Sequence, residues 1–202
     1  MIRIIGKIPR RVTIACSGGI DGMVVTHFLR NGNRDIDLVY FNHDTFHSKN
    51  AQDFVEDYAN KNNLDLKIGR VKGLKGKRSM EEFWRDERYS FFESINTEFL
   101  ITCHHLDDVV ETWIMSSFHG LSKLIPYKRG QNIYRPFLLT SKKTIRDYAT
   151  KKQVQWVEDP SNSRTEYIRN HVRHNIIPLA LKVNPGIRKT IFKKLIEINK
   201  DI

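Results

Sequence analysis

Val12-Thr13-Ile14-Ala15-Cys16-Ser17-Gly18-Gly19-Ile20-Asp21-Gly22-Met23-Val24-Val25 is the stretch on which the fold turns. A β-branched apolar run ends in a Ser/Gly turn, and an apolar segment of helical character begins at once behind it. Strand, tight turn and helix start together make an anion site. Adjacent glycines let backbone N–H groups converge, and the helix N-terminus adds its partial positive charge. The same letters also suit an ordinary strand-to-helix turn with a glycine cap, so the loop alone leaves both readings open.

Working outward, strand-like runs recur at Asp37 to Asn42, Leu64 to Val71 and Phe99 to Cys103. Helix-like runs lie between them at Gly22 to Arg30, Ala51 to Lys61 and Met80 to Ile95, and another follows from Asp107 to Phe118. This alternation predicts an α/β fold with a doubly wound, mostly parallel sheet. Ligands of such sheets sit at the carboxyl ends of strands, where Ser17 to Gly22, Asn42-His43-Asp44 and His104-His105 all fall. Gly120 to Tyr134 lacks periodicity and reads as a mobile loop. From Ser141 onward the pattern turns helical: Ser141 caps Lys142 to Lys152, a second helix lies near Glu166 to Asn175, and a third follows Pro185-Gly186. The expected organisation is an α/β domain over residues 1–140 and a basic helical extension over 141–202, packed on the first part through Trp156 and Ile168.

The 202 residues carry 34 Lys and Arg against 23 Asp and Glu, a formal charge of +11 concentrated after Lys123. That balance suits a nucleic-acid binder, although a merely basic surface has the same arithmetic. Only Cys16 and Cys103 occur and no C-x-x-C pair exists, which excludes a disulfide framework or a zinc finger and fits a reducing cytoplasm. No apolar run approaches the roughly 20 residues of a membrane helix, so no membrane partner is expected.

In Thr102-Cys103-His104-His105-Leu106-Asp107-Asp108-Val109-Val110-Glu111-Thr112, two His and two Asp at a strand end suit a divalent metal, and Asp108 and Glu111 share a helical face. A helix start enriched in Asp for its dipole, with His105 ordering the corner, accounts for the letters equally well. Arg85 and Arg88 also share a face and present planar forks to a phosphate or a carboxylate, or else form a solvated face. Two decoys fail on spacing: Gly73 to Ser79 lacks the G-x-x-x-x-G-K-[ST] frame, and His43-Asp44-x-x-His47 has no companion ligand cluster.

Ser17 to Gly22 resembles the SGGxDS loop of the N-type ATP pyrophosphatases, the PP-loop superfamily. Within it, His104 to Thr112 resembles the HHxDDxxET motif of the tRNA(Ile)-lysidine synthases. Phe41-Asn42-His43-Asp44 through Ser48 and Asp53, Glu81-x-x-x-Arg85-x-x-Arg88-Tyr89, Arg135-Pro136-Phe137-Leu138, Trp156 to Asn162 and Tyr167-Ile168-Arg169-Asn170-x-x-Arg173 continue the likeness in order, from Val12 to about Pro178. The resemblance implies ATP and Mg2+ as cofactors, a CAU-anticodon tRNA(Ile) and free lysine as substrates, and adenylation of the wobble cytidine before lysine displaces AMP. It implies nucleotide contacts at Ser17, Gly18, Gly19, Asp21, Gly22, Asn42 and His43, with metal at Asp21 and Asp107 or Asp108. Catalytic roles then fall to Asp21, His105, Asp107, Asp108, Arg85 and Arg88. Substrate contacts fall to Glu111, Lys123, Arg129, Arg135, Asn162, Arg169, Asn170 and Arg173.

Two departures stand out. Gly22 replaces the family's serine and removes a hydroxyl donor to pyrophosphate; Gly22→Ser is expected to raise ATP affinity modestly at most. Many members carry C-terminal domains that grip tRNA, and none is expected from the residues that follow the matching region here; either the core suffices, or a homodimer or a partner supplies the grip. Three rivals remain: a non-catalytic tRNA-binding relative, favoured by Gly22; another tRNA-modifying PP-loop enzyme such as a 2-thiolase, disfavoured by the cysteines; and a metal phosphohydrolase built on His104, His105, Asp107 and Asp108, which leaves the Ser/Gly loop unexplained. Phe118 and Tyr127 lie near the mobile loop, where either suits a stacked base, with core filling the expected fate of Phe118.

Overall fold

The computed structural model describes residues 1–160 and 168–202. Its sheet is built around β1 (Arg11–Ala15), which pairs in parallel with β2 (Asp35–Asn42) on one side and β4 (Leu100–Thr102) on the other. β3 (Leu66–Arg70) extends the β2 side, and the short hairpin β5 (Lys128–Arg129) and β6 (Ile133–Tyr134) extends the β4 side, giving the order β3-β2-β1-β4-β6-β5. Among the described residues, only the β5–β6 pair is antiparallel. The chain builds outward from β1 to β3 and then returns to the far side of β1, so the switch point lies between the carboxyl ends of β1 and β4.

The crossover helices are α1 (Ile20–Asn31), α2 (Phe46–Lys61) and α3 (Met80–Ser94), followed by α4 (Leu106–Ser117). The strands read as near-continuous apolar runs because both faces are covered. α1, α2 and α5 (Lys142–Lys152) share one core with Val12, Ile14, Leu38 and Tyr40, into which Ile145 and Ala149 of α5 insert. On the other face, Tyr89 and Phe92 of α3 meet Val39, Phe41, Leu100 and Ile133. A third cluster joins Leu106, Val109, Val110 and Ile114 of α4 to the C-terminal elements: α6 (Ile168–His171), a π-helical turn (Val172–Ile176), α7 (Ile177–Val183) and α8 (Ile187–Ile198).

α2 begins at Phe46 rather than Ala51, because Thr45 and Ser48 close a capping box that propensity does not reveal. Half of the expected mobile loop is ordered as the β5–β6 hairpin, which buries Ile125, Tyr127 and Ile133. Trp156 packs against the main core as expected, whereas Ile168 is 69% exposed. Ser141 caps α5 by accepting from Thr144 N–H at 3.1 Å. The N-terminal arm is tied in by Ile5 N–H to the Pro136 carbonyl (2.8 Å) and Arg3 N–H to Thr140 (2.9 Å). Among the described residues, no helix is long and apolar enough to cross a membrane.

Candidate active site

Gly18 makes the loop possible. Its φ of +79° is left-handed, and a Cβ there would lie 3.2 Å from Val55 and 3.4 Å from the Ala51 carbonyl, so only glycine turns the chain this close to α2. Its carbonyl accepts from Val157 N–H at 2.9 Å, which ties the Trp156 segment to the loop. Gly19 is the N-cap of α1 and offers no side-chain oxygen, leaving the first-turn N–H groups without an internal acceptor from the cap. Asp21 stands in that first turn. Gly22 is buried, and a Cβ on it would approach Cys16 Sγ to 3.1 Å and Cys16 Cα to 3.3 Å. The missing serine is thus matched by a tight contact with the strand.

Across the switch point, His105 is the N-cap of α4. Its Nδ1 accepts from Asp108 N–H (3.3 Å) and its own N–H donates to Asp108 Oδ2 (2.9 Å). With Nδ1 accepting, the ring proton belongs on Nε2, which lies 3.5 Å from Asp21 Oδ1. His105 therefore both orders the corner and faces the loop. His104 is different: burial drives its pKa down to about 3, so it is neutral near pH 7 and a weak base. Burial works to raise Asp108, but His105 and His104, the His105 N–H and Arg169 outweigh it and pull the carboxyl down to about 2.

Every acidic candidate meets a cation. Lys142 Nζ donates to both oxygens of Asp21 at 2.6 and 2.8 Å. Asp107 accepts from Lys142 N–H (2.7 Å) and from Arg188 Nε (3.0 Å), so its oxygens clasp α5 and α8. Glu111, 2% exposed, is held by Arg173 through two bonds of 2.6 and 3.0 Å. Burial pushes Glu111 up, while its negative charge keeps Arg173 above the ordinary guanidinium value. The structure does not gather Asp21, Asp107 and Asp108 into one ligand set, and among the described residues no group of three His, Cys, Asp or Glu could hold a metal. Asp21, the one carboxylate in the loop, is compatible with Mg2+, which keeps several waters and is usually held through only one or two carboxylates.

Two cavities meet at the loop. The larger, 710 Å³, is lined by Ser17, Gly19, Asp21, Lys142, Trp156 and Arg173 among others; the smaller, 300 Å³, by Ser17, Asp21, Arg88, His104, Asp108 and Arg169 among others. His43 borders both. Its Nδ1 has no hydrogen-bond partner among the described residues, and burial lowers its pKa to about 4.

Other expected contacts fall elsewhere. Asn42 is not among the residues that line either cavity; it donates to Gln52 (2.7 Å) and accepts from Asp44 N–H (2.7 Å), which shapes the turn. Arg135, 2% exposed, donates to the Pro126 carbonyl (2.8 Å) and to the Tyr89 hydroxyl (3.1 Å), which makes it a clasp of the hairpin. Arg129 lies 3.9 Å over the Tyr89 ring and pairs with Glu93, and the exposed Arg85 sits 5.2 Å from the same ring. Arg169 faces Glu81 at 3.7 Å, Lys123 is exposed, and Asn170 is half-buried on α6. Asn162 lies outside the described residues. Phe118 is 64% exposed, against the core position expected for it, and Tyr127 is 8% exposed and fills the core instead. Sequence reasoning missed Lys142, Arg146 and Arg188. An i, i+4 basic pair behind the Ser141 cap was a readable signal for the first two; nothing local marks Arg188.

The chain matches the PP-loop domain family over residues 4–180. It is 38% identical over 197 residues to a tRNA(Ile)-lysidine synthase of Persephonella marina, covering 90% of this chain and 44% of that protein. Against the tRNA(Ile)-lysidine synthase of Exiguobacterium sibiricum it is 32% identical over 184 residues, covering 86% and 44%. The chain thus spans less than half the length of these curated relatives. In fold it is similar to the NH3-dependent NAD synthetase of Campylobacter jejuni, with a TM-score of 0.55 at 12% identity over 96% of this chain and 86% of that one. With a Ser/Gly loop at the switch point of its sheet and a match that runs through most of its length, the chain belongs to the PP-loop family.

Proposed function

We propose that the chain uses ATP to activate a tRNA base and joins lysine to it, as in lysidine formation at the wobble cytidine of a CAU-anticodon tRNA. The observation that carries this reading is the meeting of two cavities on one loop. Ser17, Asp21 and His43 line both, and volumes of 710 and 300 Å³ suit a nucleotide and an amino acid. The names and identities of the relatives support the same reading.

In this chemistry the cytidine C2 oxygen attacks the α-phosphorus of ATP, the bond to the bridging oxygen breaks, and pyrophosphate leaves with its electrons. The lysine ε-amine then attacks C2, the C2–O bond breaks, AMP departs with the oxygen, and the amine loses a proton. The loop amides face the leaving pyrophosphate, where fixed donors act without reorganisation. Mg2+ held by Asp21 would offset the charge that develops there. In the smaller cavity Arg88 and Arg169 meet the lysine carboxylate and Asp108 its α-amine.

A thiolase reading fits poorly, since burial pushes both the Cys16 and Cys103 thiols up, away from the reactive thiolate. Gly22 favours one second reading, a relative that binds tRNA without catalysis. Incubation with CAU-anticodon tRNA, ATP and labelled lysine separates the two: incorporation that is lost in Asp21→Ala supports the synthase, and tight tRNA binding without incorporation refutes it.

A further inference from the structure

Two cations one turn apart on helix α5, Lys142 and Arg146, line the larger cavity together with Ser17 and Gly19 of the loop. Neither belongs to the motifs that carry the family resemblance. Lys142 is fully engaged: its ammonium holds both Asp21 oxygens, and its N–H holds Asp107. Arg146 is exposed and makes no ion pair among the described residues.

We propose that Lys142 and Arg146 form the second wall of the pyrophosphate site, and that Lys142 changes partners when the site fills. This rests on the reading of the loop as a nucleotide site and names residues that the reading did not include. A carboxylate at the mouth of an anion site repels phosphate unless a cation cancels it. In the structure the Lys142 ammonium does so. A divalent cation arriving with the phosphates competes for the same Asp21 oxygens, because both cations need the carboxylate's lone pairs. The ammonium released from Asp21 stays beside the loop, where phosphate oxygens replace the carboxylate as its acceptors. Arg146, on the same helical face at i, i+4, supplies a planar fork to the outer phosphate. The exchange keeps charge balanced at each stage, with no buried ion left alone.

Lys142 therefore has opposite effects on two ligands. It competes with a divalent cation offered alone and assists the cation–pyrophosphate complex. A residue that merely ties α5 to α1 would affect thermal stability without this inversion. The test is isothermal titration of the full chain with magnesium pyrophosphate and, separately, with Mn2+ alone, alongside thermal unfolding. Lys142→Met is expected to weaken magnesium pyrophosphate about tenfold or more, the scale of one charge-assisted hydrogen bond, and to tighten Mn2+. Lys142→Arg should stay within about threefold of the wild type, and Arg146→Gln should lose about threefold or more. A folded Lys142→Met that binds magnesium pyrophosphate as the wild type does overturns the proposal and leaves the nucleotide site standing. If Lys142→Met fails to fold, Arg146→Gln at its exposed position decides, and unchanged affinity overturns the proposal. A wild-type chain that binds neither magnesium pyrophosphate nor ATP removes both readings together.

Discussion

Restoring the family serine at Gly22 should destabilise this chain. A Cβ at that position would lie 3.1 Å from Cys16 Sγ, 3.3 Å from Cys16 Cα and 3.4 Å from Ser17 N. The sulfur has little room to retreat, because it is buried and already 3.5 Å from Met23 Sδ. Forcing an extra group into a filled core costs about 1–3 kcal/mol, while replacing a helical glycine returns roughly 0.5–1 kcal/mol. The net is a loss of about 1 kcal/mol, or a fall in Tm of roughly 2–4 °C for a chain of this size. A new hydroxyl would add about 0.5–1.5 kcal/mol to nucleotide binding only if the Ser17 amide stayed in place. The strain falls on Cys16, whose peptide bond carries the Ser17 amide, so ATP affinity should not rise, contrary to what the motif alone suggests. Urea unfolding of the wild type, Gly22→Ser, Cys16→Ala and the double variant gives the coupling directly. Removing the thiol should make the serine tolerable, with an interaction of about 1 kcal/mol. If Gly22→Ser proves as stable as the wild type, or the two changes simply add, the crowding argument is wrong.

Arg173→Ala should cost about 3–5 kcal/mol, because it leaves Glu111 buried and unpaired; a loss below about 1 kcal/mol in urea unfolding would show that the carboxyl is protonated or rehydrated at little cost. His104 and His43 are held neutral in the folded chain, with pKa values of about 3 and 4 against 6.5 unfolded. The unfolded chain thus binds more protons below pH 6.5, and stability should fall by several kcal/mol as pH drops from about 6.5 towards 4. His43→Gln should flatten that slope, and a variant with the wild-type profile would refute the assignment. If the proposed tRNA binding runs through α8 with Lys189, Lys193 and Lys194, it should weaken steeply with salt, and an affinity unchanged between low and moderate salt would exclude phosphate contacts as its source.

The four parallel strands and their helices were legible because apolar period and turn chemistry agree there. Ser141 announced α5 for the same reason: a capping hydroxyl directly precedes a helical pattern. What escaped was long-range. Arg135 reads as a substrate-binding arginine, yet its partners are a carbonyl nine residues upstream and a tyrosine on α3, and no local pattern encodes either. Tyr127 fills the core because the segment leading into the β5–β6 hairpin turns it inward, and that pairing of two-residue strands is too short for periodicity to register. The start of α2 was misplaced because Thr45 and Ser48 cap it side chain to side chain, at 2.7 Å, across a segment with little apolar content.

The carboxylates show why a motif is only half of this site. Read as letters, Asp21, Asp107, Asp108 and Glu111 invite a metal, since four acids near one strand end would otherwise repel one another. The structure answers the repulsion with cations from later in the chain: Lys142 on α5 for Asp21, Arg173 in the π-helical turn for Glu111, and Arg188 on α8 for Asp107. π-helical turns are rare and recur at functional sites, and here the turn carries the arginine that reaches both Glu111 and Asp108, the latter at 3.8 Å. The helical part therefore does more than cover α4. It supplies the counter-charges that let an acidic helix start sit beside an anion loop, so a change in how α8 packs would be felt at Asp107 and, through the Lys142 backbone that Asp107 holds, at Asp21. A Leu195→Ala substitution in the α4–α8 core tests this reach: it should loosen nucleotide binding as well as stability, whereas an exposed change on the same helix, such as Lys193→Ala, should leave nucleotide binding alone.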